Sequence, residues 1–271
     1  MARFFRYRGL RDWVGMEGTS AKHGSHRSRD MDIGTVSVVI LAAGKSHDEA
    51  AQPPPLLSER NGSLLVEQLF RQIDFEADTT LVLQREQAER ESIDSIVSVI
   101  CPQANIVLAS GTTSGAACSA LLAIRHIGVE RELLLLNANE FADVDAASVI
   151  DSFRARTLDA GTIVFSSLHP RYCYARLDDE GLVKEVSEKR PISRNAVAGF
   201  FWWRRGGDFI HCATEMIRTR NEVDGQFYIC PTLNEMVLHG KRVGVHQIDA
   251  VDYHPLKTQA QSRSFEDGAA E

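Results

Sequence analysis

The chain has 271 residues, of which 44% are hydrophobic and 25% charged, a composition typical of a globular protein with a large core. The formal net charge of −7 excludes the basic surface expected of a general nucleic-acid- or membrane-surface-binding protein. We therefore predict no nucleic acid and no membrane among the partners, and an anionic substrate must be bound by local positive charge.

The cysteines are odd in number and scattered, without C-x-x-C spacing: Cys101, Cys118, Cys173, Cys212 and Cys230. This pattern indicates neither a disulfide framework nor a zinc site. No apolar run approaches the roughly 20 residues of a membrane span, and the N-terminus lacks the apolar segment of a signal peptide. These observations favour a cytoplasmic location.

The first 34 residues differ from the rest, because arginines stand among glycine, serine and histidine without a sustained apolar period. This composition predicts a basic, poorly ordered extension over 1–34, with an organelle-targeting signal as the alternative. Met31 stands just before the first predicted strand, so a chain starting there would keep the fold. We expect the main domain at 35–250 and a C-terminal tail at 251–271.

In the first half of the domain, apolar runs of buried-strand length alternate with segments of helical periodicity. The predicted strands are 36–41, 80–83, 105–108, 132–136 and 161–166. The predicted helices are 64–73, 86–99, 116–127 and 146–156. Strand–helix alternation with short connections predicts a mainly parallel sheet covered on both faces.

The later part changes character. A hairpin is predicted at 172–186 around the turn at 178–181, followed by a long strand at 196–203, helices at 207–218 and 231–238, and a strand at 243–248. Trp202 and Trp203 alternate along their strand, so at most one of them faces a pocket. The predicted fold class is α/β, a three-layer sandwich with a mainly parallel central sheet and antiparallel hairpin additions.

The first strand–helix junction reads Ile40-Leu-Ala-Ala-Gly-Lys-Ser46. Small residues after a buried strand let backbone N–H groups reach the phosphates or base of a ligand. A P-loop needs a glycine five positions before Gly44, and Val39 occupies that place, so the phosphate cradle is incomplete. A tight turn without a ligand stays the alternative.

An acid–base doublet precedes the long strand. Glu188 can accept hydrogen bonds from hydroxyl groups, and Lys189 can bind a phosphate as a point charge. Gly199 leaves room for a ligand against the backbone. Together they predict a sugar-phosphate pocket, and a solvated charge pair before an ordinary strand is the alternative.

Seven segments, in order, resemble the motifs of the sugar-phosphate nucleotidyltransferases. They are Ile40 to Gly44, Gly111-Thr-Thr-Ser-Gly-Ala-Ala117, Leu136-Asn-Ala-Asn139, His169-Pro-Arg-Tyr-Cys-Tyr174, Glu188-Lys-Arg-Pro-Ile-Ser193, Ala198-Gly-Phe-Phe-Trp-Trp203 and Gln226-Phe-Tyr-Ile-Cys-Pro231. The resemblance covers about residues 36–250 and is closest to the branch found with bacterial capsule and surface-polysaccharide genes. It implies a nucleotide-diphospho-sugar transferase, GT-A-like fold. It also implies Mg²⁺-assisted transfer of a nucleotidyl group from an NTP to a sugar 1-phosphate, with release of pyrophosphate.

The resemblance also implies roles for individual positions. Residues at four consecutive positions would line the nucleotide: Leu41, Ala42, Ala43 and Gly44. Thr113 and Gly115 would lie near its base, and Asn137 and Asn139 where its phosphates and the metal meet. On the acceptor side, Glu188 would bind sugar hydroxyls, Lys189 the sugar phosphate, and Gly199 would form the floor of the sugar pocket. Residues 226–228 either contact the acceptor or pack at a helix start.

Every departure from the family pattern removes a charge. The first loop has Ser46, His47 and Asp48 where an arginine is expected, and Pro54 where a lysine is expected. Asn139 replaces the metal-binding aspartate, and residues 253–259 replace a Gly-Thr-Pro-x-Asp segment with a second carboxylate. Phosphoryl-group chemistry depends on such charges. Lys45 is the substitute predicted for the cation, and Glu140 or Asp143 for the carboxylate.

Three hypotheses follow. The first is a nucleotidyltransferase with weak or altered activity on a sugar 1-phosphate or a similar phosphorylated acceptor. The second is a non-catalytic homologue that binds a nucleotide or sugar phosphate, or that regulates an active homologue; a homo-oligomer is also left open. The third, a glycosyltransferase of the same fold that uses a nucleotide sugar, is disfavoured because it would need an Asp-x-Asp where this chain has Asn-Ala-Asn.

Overall fold

The computed structural model describes residues 35–44 and 54–267. The strands are β1 Val36–Ala42, β2 Glu59–Arg60, β3 Ser63–Leu64, β4 Ala77–Gln84, β5 Asn105–Ala109, β6 Leu133–Asn137, β7 Glu140–Ala142, β8 Ala160–Ser166, β9 Cys173–Leu177, β10 Val183–Glu188, β11 Asn195–Trp203, β12 Val243–Gln247 and β13 Tyr253–Pro255. The helices are α1 Leu65–Gln72, α2 Arg85–Glu91, α3 Ile93–Ile100, α4 Ala116–Leu122, α5 Ala146–Ala155, α6 Gly206–Arg218, α7 Thr232–Leu238 and α8 Gln259–Glu266.

One nine-stranded sheet organises these elements. Its parallel part has the order β5-β4-β1-β6, and antiparallel β11 continues it beside β6. The other edge of β11 pairs with β8, which carries β12 in parallel. The β9–β10 hairpin attaches to the first half of β11. The predicted α/β class, with a mainly parallel sheet and antiparallel additions, is confirmed.

Two hydrophobic clusters lie on opposite faces of the sheet and make it the middle layer of three. Trp202 belongs to one cluster, where its ring stacks on Phe153 of α5 at 5.6 Å between centroids. Trp203 belongs to the other and meets Phe209 of α6 at 4.8 Å. The expected alternation holds, because successive side chains of a strand point to opposite faces. Both indoles are fully buried, so neither faces a pocket.

Two predicted helices are shorter or broken. The sequence predicts one helix over 86–99, but Ser92 has a φ of +51°, which ends α2 and starts α3. The left-handed backbone at this position interrupts the helical hydrogen bonds. The helix predicted over 116–127 ends as α4 at Leu122 and continues as a 3₁₀ turn from Ile124 to His126.

The segment predicted as a C-terminal tail is part of the fold. β13 pairs with β7, a strand that the sequence does not predict, and α8 follows. Tyr253, Leu256 and Phe265 are buried in the same cluster as the central strands. Their spacing is too short and irregular for a periodic signal, which explains why the sequence indicates no structure here.

The predicted extension over 1–34 lies outside the described residues, and so do positions 45–53 and 268–271. Within the described ranges, none of the helices combines the length and apolarity needed to cross a bilayer.

Candidate functional site

The candidate site lies where the parallel strands end. β1 and β6 pair with Leu41 opposite Asn137, and the Ala138 amide donates to the Leu41 carbonyl at 2.9 Å. The first loop and the turn after β6 therefore lie side by side. Ligands of open α/β sheets bind beyond the carboxyl ends of the strands, so this edge is where a site is expected.

The predicted nucleotide-contacting residues of the first loop differ in exposure. Leu41 and Ala43 are buried in the core, Ala42 is half-buried, and Gly44 is exposed. A ligand at this loop would therefore meet Gly44 and part of Ala42. Lys45, the predicted catalytic cation, lies outside the described residues.

The predicted base-binding loop is braced by a distant segment. Gly115 has a φ of +126°, and a Cβ at this position would overlap the backbone of Phe227. The Phe227 amide donates to the Ser114 carbonyl at 2.8 Å, and the Ala117 amide donates to the Phe227 carbonyl at 3.0 Å. A glycine is needed at 115 for both its backbone angle and this close approach.

These contacts bear on the two interpretations left open for residues 226–228. Phe227 packs its backbone on the glycine loop at the start of α4, which supports the packing role for this residue. Thr113, predicted near the base, is engaged within its own loop: its hydroxyl lies 2.6 Å from that of Ser119 and donates to the Gly115 carbonyl at 3.2 Å.

Glu188 and Lys189 stand at the end of β10, where the chain turns sharply. Glu188 is paired with Cys173 of β9, and Lys189 has a φ of +57°. The Lys189 ammonium donates to the Asp224 carboxylate at 2.8 Å and lies 5.1 Å from the centre of the Tyr228 ring. Asp224 first, then Tyr228, raises the pKa of Lys189 above its usual value. The predicted phosphate-binding cation is thus already paired with a carboxylate that the sequence does not single out.

The Glu188 carboxyl group is largely removed from water. Desolvation raises its pKa to about 7, opposed by the Lys257 charge, and the Glu140 charge raises the pKa further. At neutral pH this group is divided between its charged and uncharged forms. It can therefore both accept and donate hydrogen bonds to hydroxyl groups, which fits the predicted contact with a sugar.

The space over Gly199 is occupied by the protein itself. A Cβ at this position would lie 2.5 Å from Glu140 Oε1, and the enclosed volume beside them is about 10 Å³. That volume accommodates one water molecule at most. Gly199 therefore makes room for the Glu140 side chain in this structure, whereas the sequence predicts a sugar there. A sugar over Gly199 requires Glu140 to move.

Glu140 is buried and its carboxylate is fully engaged. Oε1 accepts a hydrogen bond from Asn137 Nδ2 at 2.9 Å, and Oε2 accepts one from the Tyr253 hydroxyl at 2.6 Å. Burial first, then the Glu140 charge, raises the pKa of Tyr253 well above its usual value. The Lys257 ammonium lies 3.6 Å from Oε2. The Asn137 side chain, predicted to meet the nucleotide phosphates, thus positions a carboxylate.

The described residues do not fit the Mg²⁺ site that the resemblance implies. Asn139 is exposed, its side-chain amide is neutral, and its backbone carbonyl accepts a hydrogen bond from the Leu256 amide at 2.8 Å. Each oxygen of Glu140 already accepts a hydrogen bond from the protein, and the Lys257 ammonium lies 3.6 Å from one of them. Asp143 lies 3.9 Å from Arg60. Mg²⁺ needs several free oxygen ligands, and these groups do not supply them.

A disulfide joins Cys173 of β9 to Cys230, 57 residues later. The sequence indicates no disulfide, and this expectation is wrong for the pair, because the partners are brought together by strand order and not by local spacing. The Glu188 carboxylate and both sulfur atoms lie within 4.8 Å of one another. Sulfur atoms in a disulfide are not thiolate ligands, so the trio is not a metal site in this state.

Three residues of the site have no clear signal in the sequence: Asp224, Tyr253 and Lys257. Asp224 stands in a polar turn, and the other two stand in the segment predicted as a tail. The one available signal is the proximity of Tyr253 and Lys257 to the place where the family pattern expects its last motif. Their contacts form only when β13 pairs with β7.

No protein-family model matches this chain, and no curated protein matches it. Solved structures share its fold at low sequence identity. A nucleoside-diphosphate-sugar pyrophosphorylase from Vibrio cholerae is 17% identical, with a TM-score of 0.71 over 84% of this chain and 99% of that chain.

Two further solved structures share the same fold. A UDP-glucose pyrophosphorylase solved with UDP-glucose is 14% identical, with a TM-score of 0.69 over 86% of this chain and 97% of that one. A Bacillus anthracis protein assigned as a glucose-1-phosphate thymidylyltransferase and solved with sucrose is 15% identical. Its TM-score is 0.67 over 88% of this chain and 96% of that chain. The chain has the fold of these sugar nucleotidyltransferases.

Proposed function

We propose that this chain binds a nucleoside triphosphate and a sugar 1-phosphate, or a similar phosphorylated acceptor, and joins them slowly into a nucleotide sugar with release of pyrophosphate. The observation that carries the proposal is one continuous set of contacts at the carboxyl edge of the sheet. The Lys189 ammonium donates a hydrogen bond to Asp224. Three residues after Asp224, the Phe227 amide donates a hydrogen bond to the Ser114 carbonyl in the glycine loop. These contacts hold Lys189 and the glycine loop through one short segment, which supports neighbouring acceptor and base sites.

The fold supports the same proposal. The similar solved structures are named as pyrophosphorylases or a thymidylyltransferase, and this chain retains their sheet. The resemblance of its motifs to the capsule branch extends the proposal to surface-polysaccharide precursors. Because nucleoside triphosphates are cytoplasmic metabolites, the proposal includes a cytoplasmic location.

The reaction balances without a further reactant. An oxygen of the acceptor phosphate attacks the α-phosphorus of the triphosphate and forms a new P–O bond. The bond from the α-phosphorus to the α–β bridging oxygen breaks, and pyrophosphate leaves with its electron pair. Lys189 would bind the acceptor phosphate in place of Asp224, and Glu188 would bind sugar hydroxyls. The neutral Asn139 explains why we propose a slow reaction, since little charge stabilises the transition state.

A pyrophosphate-release assay tests the proposal. Each of the four NTPs is combined with a panel of sugar 1-phosphates, and the nucleotide-sugar product is identified by mass spectrometry. Lys189→Ala should reduce kcat/KM by about tenfold or more, because it removes a charge-assisted contact to phosphate. Lys184→Ala, at an exposed position on β10, the strand just before Lys189, is the control.

Two other outcomes overturn parts of the proposal. Nucleotide binding with no pyrophosphate release under any condition would make the chain the non-catalytic homologue, and calorimetry with each NTP would show it. Absence of binding to every nucleotide and every sugar phosphate would overturn both functions.

A further inference from the structure

We propose that Lys257 is a second phosphate-binding cation of this cleft, in addition to Lys189, and stands in for a divalent ion, so that anionic ligands bind without Mg²⁺. The ligand class rests on the proposed function. The role of Lys257 rests on the geometry of the segment that follows β13.

The backbone of Lys257 is held on both sides. Before it, the Leu256 amide donates to the Asn139 carbonyl at 2.8 Å, which fixes the segment against the turn after β6. The Lys257 amide donates to the Gln261 side chain at 3.0 Å, and Thr258 caps α8. The ammonium group is therefore anchored at the carboxyl edge of the sheet, beside the position where the resemblance implies a metal.

The Lys257 ammonium lies next to the Glu140 carboxylate and acts electrostatically on a second carboxyl group, that of Glu188. It is 3.6 Å from Glu140 Oε2, and its charge is the largest influence that lowers the pKa of Glu188. It also lies 5.9 Å from the centre of the Tyr172 ring. At its distance from Glu140, this positive charge offsets much of the negative charge that would otherwise repel a phosphate.

Among the described residues, the groups around the Lys257 ammonium are poorly suited to bind a divalent ion. Both oxygens of Glu140 accept hydrogen bonds from protein donors, Asn137 and Tyr253. An ion at this carboxylate would lose those interactions to gain its oxygen ligands, and it would meet the ammonium as a like charge. The arrangement supplies its own cation.

The ammonium remains available to a ligand. Its 3.6 Å separation from Glu140 exceeds hydrogen-bond distance, so its N–H donors can turn toward a phosphate, and a third of the side chain is exposed. Lys189, by comparison, donates to Asp224 at 2.8 Å. Between these two lysines, Lys257 is the one that binds a phosphate without first losing a hydrogen bond.

Calorimetric titration tests this inference. UTP, dTTP and glucose 1-phosphate are each titrated into the full chain, once in EDTA and once in excess MgCl₂. For the ligands that bind, we expect dissociation constants in the two buffers to agree within about threefold. Lys257→Met should weaken binding by about tenfold or more, the loss of one charge-assisted contact. Lys257→Arg should bind within about threefold of the original, and Lys184→Met is the matched control.

The outcomes separate the inference from the proposed function. Binding that requires Mg²⁺, or that Lys257→Met leaves unchanged, overturns the inference and leaves the function intact. If none of these probes binds, the titration is extended to all four NTPs and the panel of sugar 1-phosphates, and absence of binding to all of them in both buffers overturns the function together with the inference. Circular dichroism establishes whether each variant is folded. If Lys257→Met is unfolded, the inference is tested instead by the binding affinity of Lys257→Gln and by the Mg²⁺ dependence of binding to the original chain.

Discussion

At the scale of single residues, the candidate site is defined by how charges are paired. Glu140 is buried and bonded to Tyr253, and Lys189 is bonded to Asp224. Glu188 is different, because it is desolvated and its pKa is raised to about 7. A carboxyl group held in this condition at neutral pH costs stability when it ionises, and such groups concentrate at functional sites.

The Glu188→Gln variant tests the stability cost of ionising Glu188. The folded-state pKa lies above the ordinary value of 4.5, so the folded chain binds the proton more tightly than the unfolded chain. The stability lost by ionising Glu188 in the folded chain is zero below about pH 4.5, grows as the pH rises toward 7, and reaches its full value above pH 7. Relative to Glu188→Gln, the free energy of unfolding of the original chain should fall by up to about 3 kcal/mol between pH 4.5 and 8.

Urea unfolding at a series of pH values measures this difference. Glu180→Gln is the matched control, because Glu180 is exposed in the β9–β10 turn and its carboxyl stays in water. Parallel stability curves for the original chain and Glu188→Gln would contradict the prediction.

At the scale of elements, the site depends on tethers between segments far apart in the chain. The Cys173–Cys230 disulfide links β9 to the segment just before α7. The same segment begins with Phe227, whose backbone forms hydrogen bonds with the loop before α4 and the first turn of that helix. The hairpin that carries Glu188 and the loop that carries Gly115 are thus held by one connecting segment, which positions the predicted acceptor and base sites relative to each other.

Reduction of this disulfide should lower the free energy of unfolding by about 2–4 kcal/mol, because the bond restricts the unfolded chain across a loop of 57 residues. Urea unfolding with and without dithiothreitol measures it. The Cys173→Ser/Cys230→Ser double variant should match the reduced chain and be insensitive to the reductant. Cys101→Ser, which removes a free thiol, should keep the full effect. If dithiothreitol leaves the free energy of unfolding of the original chain unchanged, the disulfide is either not formed or not stabilising.

At the scale of the whole molecule, the sheet and its two hydrophobic faces form from residue 36 onward and are completed by the last described helix. β1 is central and pairs with β4 and β6. Phe265 of α8 is buried in the same cluster as Ile40. The segment predicted as a tail therefore contributes to the core, whereas a chain starting at Met31 keeps every strand of the described sheet, and we expect the two truncations to differ.

Two truncations test this difference by thermal melting followed by circular dichroism. A chain that starts at Met31 should melt within about 3 °C of the full chain, because residues 35–267 contain the whole sheet. A chain that ends at residue 252 loses three buried hydrophobic side chains, Tyr253, Leu256 and Phe265. At about 1.5–3 kcal/mol each, their loss approaches the total stability of a domain, so this variant should not fold. Equal melting of the two variants would contradict the assignment.

The sequence by itself determined the elements of the sheet and its class. Buried parallel strands appear as continuous apolar runs, as in β1 and β6, and helices show their own period. The opposite faces of Trp202 and Trp203 follow from the period of two along any strand. The order of motifs also predicted the fold that the solved structures share. These features depend on local pattern, which a sequence displays directly.

Only the tertiary structure decided the contents of the site. Glu140 lies over Gly199, Asp224 pairs with Lys189, and the Lys257 ammonium lies 3.6 Å from the Glu140 carboxylate. Cys173 and Cys230 form a bond that their spacing does not indicate. Each of these contacts joins segments that strand order brings together, and the energy of a charge depends on the burial and partners it acquires there. Local sequence contains neither quantity.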